Sequence, residues 1–271
     1  MGKEVFMQNN VFFIGLGNMG GAIVNGLIQS QFSSENILFL EPNPEAALKY
    51  EQIGLQRVLS FEEGIQKANV VFICVKPQIF NELADSWKVS LDPDNIKLFI
   101  SIMAGISSEK IKQKLPHQEV LRVMPNLPLT IQKGTIALAN DTTSEKNLNV
   151  AENLFKNMGT TVQVPEHLMD AVTGLSGSGP AYVFDFIEGL ILGGVKMGLD
   201  REAAKSLTIS TIEGAVGLFK NSNQEATSLI EMVSSPGGTT VAGLQILKDN
   251  SFREILTKTV EAATQRSKEL G

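Results

Sequence analysis

The stretch Phe12-Phe13-Ile14-Gly15-Leu16-Gly17-Asn18-Met19-Gly20 joins an apolar run to three glycines spaced G-x-G-x-x-G, and a helical pattern follows from Met19 to about Ser30. Each glycine has a physical task in a strand-turn-helix. Gly15 permits the tight turn out of the strand, Gly17 lets the backbone touch a pyrophosphate, and Gly20 lets the helix pack closely on the strand. The helix N-terminus then directs unpaired N–H groups and its positive dipole end at the phosphates. Leu16, Asn18 and Met19 lie between the glycines and share the cradle. Glu41 stands twenty-one residues past Gly20, directly after the strand-like Ile37-Leu38-Phe39-Leu40. An acidic residue at that place accepts hydrogen bonds from ribose hydroxyls. An ordinary α/β turn can carry the same glycines, so the strand before, the helix after and the acid beyond carry the dinucleotide-binding reading.

Composition narrows the alternatives. A chain of 271 residues can bury a substantial core and hold two domains. Its net charge of −6 argues against nucleic acid as a partner. The single cysteine, Cys74, lies in the apolar run Val70–Val75 and is expected as a buried strand residue; alone it forms neither an internal disulfide nor a cysteine-rich metal site. His117 and His167 have no metal-ligand spacing and are expected at the surface, so no metal site is expected. The most apolar stretch, Ala181–Leu199, is interrupted by Asp185, Glu188 and Lys196, which argues against a membrane span. No signal-peptide pattern opens the chain, and a cytoplasmic location is the expectation.

Up to Val164, short β-like runs alternate with helical segments: Phe12–Ile14, Ile37–Leu40, Gln56–Leu59, Val70–Val75, Leu98–Ile102, Glu119–Val123, Thr135–Ala139 and Thr161–Val164. Polar helices are expected near Asn43–Ile53 and Ser144–Met158. Such alternation predicts a doubly wound, mostly parallel sheet. From Pro165 strand signals stop. Helices are expected near Glu166–Thr173, Gly179–Met197, Arg201–Lys220, Gln224–Val233, Thr239–Lys248 and Phe252–Leu270, with Asp200 as an N-cap. The division is therefore 1–164, dinucleotide-binding, and 165–271, all-helical. The helical part carries long apolar faces, which points to burial against a second subunit.

Three strands end in small or proline-containing turns: Val75-Lys76-Pro77, Met103-Ala104-Gly105 and Met124-Pro125-Asn126. Ligands in open α/β sheets bind beyond the carboxyl ends of strands, so these turns should border the crevice of Gly15–Gly20. Each taken singly also reads as plain strand termination. Two stretches of the helical part stand out. Leu175-Ser176-Gly177-Ser178-Gly179-Pro180-Ala181-Tyr182 lets a ligand or the other domain approach closely, or is a helix start with Ser178 as its cap. Ser234-Ser235-Pro236-Gly237-Gly238-Thr239-Thr240 offers backbone N–H groups and hydroxyls at a helix N-terminus, a good carboxylate cradle, although taken alone it reads first as an inter-helix turn. The sequence has no H-E-x-x-H and no C-x-x-C and suggests no Ser-His-Asp arrangement, so the hard chemistry falls to the dinucleotide.

Taken together, Phe13–Gly20, Val75-Lys76-Pro77, Arg122-Val123-Met124-Pro125-Asn126, Ser176–Tyr182, Gly194-Val195-Lys196-Met197-Gly198 and Ser235–Thr240 occur in the order found in pyrroline-5-carboxylate reductases, and the chain resembles that family over essentially its whole length. The resemblance implies a Rossmann domain followed by a helical domain that intertwines with its partner's, in a homodimer that can build larger rings. It implies hydride transfer from NADPH or NADH to C5 of the cyclic imine Δ1-pyrroline-5-carboxylate, giving L-proline. It places the substrate carboxylate at Gly238-Thr239-Thr240, with Thr240 the catalytic candidate, and Glu166 and Ser178 on the substrate side. The cofactor side takes Gly15 to Gly20, Glu41, Val75, Lys76, Pro77, Ala104 and Gly105. Family members often have His-Pro where this chain has Glu225-Ala226; Asn223 and Met232 are further departures.

Many members prefer NADPH and present a small hydroxyl residue where Glu41 stands. A carboxylate there binds both ribose hydroxyls and repels a 2′-phosphate, and no Arg or Lys lies between Glu41 and Ala47; the nearest is Lys49. NADH is therefore expected to serve at least as well as NADPH. Two other readings compete. One is a 3-hydroxy-acid dehydrogenase using Lys196, which otherwise reads as a solvated helix end. The other is a dinucleotide sensor without catalysis.

Overall fold

The computed structural model describes residues 10–87 and 91–271. The reading of the opening residues falls outside that range. Among the described residues, eight strands form one sheet in the order β3-β2-β1-β4-β5-β6-β7-β8. The strands are β1 (Val11–Ile14), β2 (Ile37–Leu40), β3 (Gln56–Arg57), β4 (Val70–Ile73), β5 (Leu98–Ser101), β6 (Glu119–Met124), β7 (Gly134–Ala139) and β8 (Gly159–Val164). Every neighbouring pair is parallel except β6 and β7, which run antiparallel. The order reverses between β1 and β4, so this is a doubly wound sheet with its switch point at the glycine-rich turn.

Both faces of the central strands are covered, which is why β1 and β4 read as unbroken apolar runs. On one face Val11, Phe13, Phe39 and Phe72 pack with α1 (Asn18–Gln29), with Ala47 and Tyr50 of α2 (Pro44–Glu51), and with Leu154 and Phe155 of α6 (Glu145–Phe155). The Phe13 and Phe72 rings stack at 4.4 Å. On the other face Phe12, Ile14, Val71 and Phe99 meet α3 (Phe61–Lys67), α4 (Pro77–Trp87) and α5 (Ser108–Lys114). Each fully buried side chain of this size contributes about 1.5–3 kcal/mol.

Beyond β8 the chain forms a single turn at Glu166–Leu168, α7 (Met169–Val172), a π-helical turn at Thr173–Gly177, α8 (Gly179–Lys196), α9 (Arg201–Ser222), α10 (Ala226–Met232), α11 (Thr239–Asp249) and α12 (Phe252–Leu270). The chain divides into two compact units, one running through Ser178 and regaining Glu261–Gly271, the other Gly179–Val260. Residues 165–178 thus pack with the sheet. Within the second unit, α8 and α9 form a hairpin: Gly198 turns at φ +99°, and Asp200 accepts the Ala203 N–H at 2.9 Å, as expected of a cap.

Three local expectations need correction. Gln56–Leu59 pairs only over Gln56–Arg57, because the chain leaves the edge for the Ser60 cap of α3. The strand expected over Val70–Val75 ends at Ile73, and Cys74 is a half-buried residue just beyond it, its N–H still donating to the Ile14 carbonyl at 3.0 Å. Ser178 does not cap α8: its backbone is helical (φ −84°, ψ −21°), and its N–H donates to the Thr173 carbonyl, so helix runs into helix through the π turn.

Candidate functional site

The three glycines of the turn occupy three different environments. Gly15 has φ +84°, and its N–H donates to the Leu40 carbonyl at 3.0 Å, tying the turn to β2. A Cβ on Gly20 would lie 2.8 Å from the Gly15 carbonyl oxygen and 3.1 Å from the Cys74 Cβ, so only glycine lets α1 cross the switch point this closely. A Cβ on Gly17 would meet nothing within 4 Å. The space above Gly17 is therefore open, and both Gly17 and Asn18 are exposed. Gly17 is the N-cap of α1 and offers no side-chain acceptor to the first N–H groups. Side chains do supply one at α2, α3, α5, α6 and α9, from Asn43, Ser60, Ser107, Ser144 and Asp200. The first donors of α1 thus face no side-chain cap, and the residues present suit a pyrophosphate.

Glu41 closes one side of this cradle. Its Oε2 accepts the Leu16 N–H at 3.1 Å and its Oε1 accepts the Asn43 N–H at 3.0 Å. The Tyr50 hydroxyl donates to the Leu16 carbonyl at 3.5 Å; burial, and then the negative charge of Glu41, hold its ionisation above the usual tyrosine range. Arg57 was absent from the expected site. Its Nη2 donates to the Glu41 carbonyl at 3.1 Å, because β3 pairs parallel to β2 with Arg57 opposite Phe39. Only that register, not distance along the chain, makes the two residues neighbours.

The turns after β4 and β5 lie at the same carboxyl edge of the sheet as Gly15–Gly20. Val75 and Pro77 are half-buried, Lys76 is exposed, and Pro77 opens α4. Ala104 and Gly105 are half-buried, and Gly105 turns at φ +76°. A Cβ on Gly105 would lie 2.5 Å from the Ser267 carbonyl oxygen, so the last turns of α12 pack on this turn, with the Ser267 hydroxyl anchored on Asp170 at 2.7 Å.

Glu166 is heavily engaged. Its carboxylate accepts the Ser108 N–H at 2.6 Å and the Ser108 hydroxyl at 2.5 Å, and lies 3.3 Å from Nη1 of the buried Arg122. The Glu166 N–H donates to Asp141 at 2.8 Å. The turn after β6 is buried: Asn126 donates to the Ser176 carbonyl at 3.1 Å and accepts the Thr135 N–H at 2.8 Å. Its role is to hold β7 and the Ser-Gly stretch, a role that the sequence signalled only as a strand end.

In the second unit, α11 begins on Gly238, again with no side-chain acceptor, after Gly237 at φ +69°. Thr239 and Thr240 are exposed at that N-terminus. The offered donors and hydroxyls suit a small carboxylate. Ser178 belongs to the first unit, whereas Gly238, Thr239 and Thr240 belong to the second. Lys196 is exposed as the last residue of α8, and His117 and His167 are exposed. Among the described residues there is no cluster of three or more metal-ligating side chains, and no helix is long and apolar enough to cross a membrane.

Comparisons with known proteins fall on this geometry. Residues 166–270 match the family model for pyrroline-5-carboxylate reductase dimerisation, and residues 10–105 match the NADP oxidoreductase, coenzyme F420-dependent, model. The chain is 39% identical to the pyrroline-5-carboxylate reductase of Synechocystis sp. over 98% of this chain and 99% of that protein. It is 36% identical to that of Pisum sativum, covering 95% and 94%. The solved Plasmodium falciparum pyrroline carboxylate reductase, which has NADP bound, superposes with a TM-score of 0.88 at 32% identity, covering 98% of this chain and 99% of that one.

Proposed function

The chain belongs to the pyrroline-5-carboxylate reductase family, and from that premise we propose how its own residues carry the reaction. It is an NAD(P)H-dependent oxidoreductase of proline biosynthesis that reduces the C=N bond of Δ1-pyrroline-5-carboxylate to L-proline. The cofactor, when bound, supplies the hydride. The α1 N-terminus at Gly17 to Gly20 holds its pyrophosphate, Glu41 its adenine ribose, and Val75-Lys76-Pro77 and Ala104-Gly105 border the nicotinamide end. Gly238 and Thr239 hold the substrate carboxylate, and the Thr240 hydroxyl bonds the ring nitrogen or carboxylate. Ser178 and Glu166, the latter paired with Arg122, lie on the substrate side. One observation supports this division most: α1 and α11 both start on glycines that offer no side-chain acceptor to their first N–H groups.

The functional boundary is placed at Val164/Pro165, with 1–164 binding the dinucleotide and 165–271 serving substrate and dimer. The helical unit exposes Phe184, Leu192, Leu207, Phe219 and Ile246, each by half or close to it or more, and holds an apolar cavity of about 720 Å³ lined by Ile230, Leu244, Leu247 and Phe252. A homodimer, and rings built from it, would cover these faces. Light scattering that finds a fully active monomer would overturn the dimer. A cytoplasmic setting agrees with a single unpaired cysteine.

The reading favours NADH at least equally with NADPH, because the Glu41 carboxylate sits on the glycine-rich turn itself. Its charge meets ribose hydroxyls as an acceptor and a 2′-phosphate as a like charge. KM for both cofactors in wild type and Glu41→Ser tests this. Wild type strongly selective for NADPH, and unchanged by the substitution, would refute it.

A further inference from the structure

We propose that Arg57 is the residue through which this site accepts a 2′-phosphorylated dinucleotide, so that Glu41 and Arg57 together set the balance between the two cofactors. The inference rests on the dinucleotide site described above. Residue 41 is gripped at both ends. Its carboxylate reaches the Leu16 and Asn43 N–H groups, and its carbonyl accepts Arg57 Nη2 at 3.1 Å. A ribose held by that carboxylate would carry its 2′ substituent towards residue 41, whose carbonyl the guanidinium already reaches. Lys49, the nearest basic residue to Glu41 along the chain, is drawn elsewhere: its Nζ sits over the Tyr50 ring, 5.5 Å from its centroid.

The state of Arg57 suits an incoming phosphate. Its Nη1 lies 3.8 Å from the Glu51 carboxylate, beyond hydrogen-bonding distance, and the two side chains are 27% and 38% exposed. That ion pair is weak and screened. A phosphate offers more charge and three acceptor oxygens to a planar fork of five N–H donors. Arg57 also stands on the edge strand, paired on one side only, so its side chain can turn towards the ribose without breaking the sheet. Glu41 opposes the phosphate and Arg57 attracts it. NADH then meets only the carboxylate, whereas NADPH meets both.

The test uses the whole protein without turnover. Calorimetric titration with 2′,5′-ADP and with 5′-AMP measures the 2′-phosphate contribution directly. Arg57→Ala is expected to weaken 2′,5′-ADP by roughly ten- to a hundredfold, the range for a lost charge-assisted hydrogen bond, and to leave 5′-AMP unchanged. Glu51→Gln, which removes the competing carboxylate, should tighten 2′,5′-ADP. Unchanged 2′,5′-ADP affinity in Arg57→Ala, or equal loss for both nucleotides, would overturn the proposal. The outcomes separate the two readings: a wild type that prefers NADPH, and loses that preference in Arg57→Ala, defeats the Glu41 argument and sustains the Arg57 one.

Discussion

Arg122 and Glu166 form an ion pair with Nη1 and Oε1 3.3 Å apart, and the same carboxylate closes on both the backbone and the hydroxyl of Ser108. Arg122 is only 4% exposed and its Nη2 has no hydrogen-bond partner among the described residues, so Glu166 neutralises a charge the fold has taken out of water. It also supplies acceptors to the start of α5, directly after the Ala104–Gly105 turn. This separates a structural function from the substrate-side function assigned to Glu166.

Glu166→Ala should cost about 3 kcal/mol or more in chemical denaturation, because it strands a buried guanidinium. Glu166→Gln keeps an acceptor for Ser108 and should cost less. If both variants retain wild-type stability and only the KM for the imine rises, the carboxylate works on the substrate alone.

Gly17 and Gly20 should respond oppositely to alanine. The added Cβ at Gly17 meets open space, so stability should change by no more than about 1 kcal/mol, the scale of an N-cap replacement, while dinucleotide binding is lost. The Cβ at Gly20 would press on the Gly15 backbone, so that variant should unfold at lower denaturant. Thermal melts with and without cofactor distinguish the two; cofactor stabilisation surviving in Gly17→Ala would contradict the cradle.

Thr240→Ala should lower kcat/KM by roughly ten- to a hundredfold, corresponding to about 1.5–3 kcal/mol for one hydrogen bond to a charged or charging centre. Thr240→Ser should be close to wild type. Matching kinetics for Ala and wild type would reduce Thr240 to a helix-start residue.

The Cys74 thiol is itself enclosed although the residue as a whole is half-buried, and that burial pushes it well above its usual range. With the folded pKa raised, the unfolded chain loses this proton first, so the contribution is fully present below the unfolded value near 8.5 and declines as pH rises beyond it. Stability should fall by up to about 1.36 kcal/mol per pH unit above that point from this group. Cys74→Ala should flatten that alkaline slope; an identical slope in the variant would show that other groups, such as Tyr50, carry it.

Much of this protein follows from short-range patterns. Apolar runs bounded by Gly and Pro located the strands to within a few residues, and Asp200 announced its helix, because a cap bonds N–H groups only three residues away. The tight turn at Gly15 and the close helix-strand approach at Gly20 were legible for the same reason: backbone sterics act locally. Arg57 beside Glu41, Glu166 on Ser108, Asn126 beneath Ser176 and the antiparallel turn of β7 against β6 were not. Each joins segments distant along the chain, and which partners meet depends on strand register and on how apolar faces close over one another. Composition and periodicity set which face is buried; only the packed chain decides which polar group is left beside which.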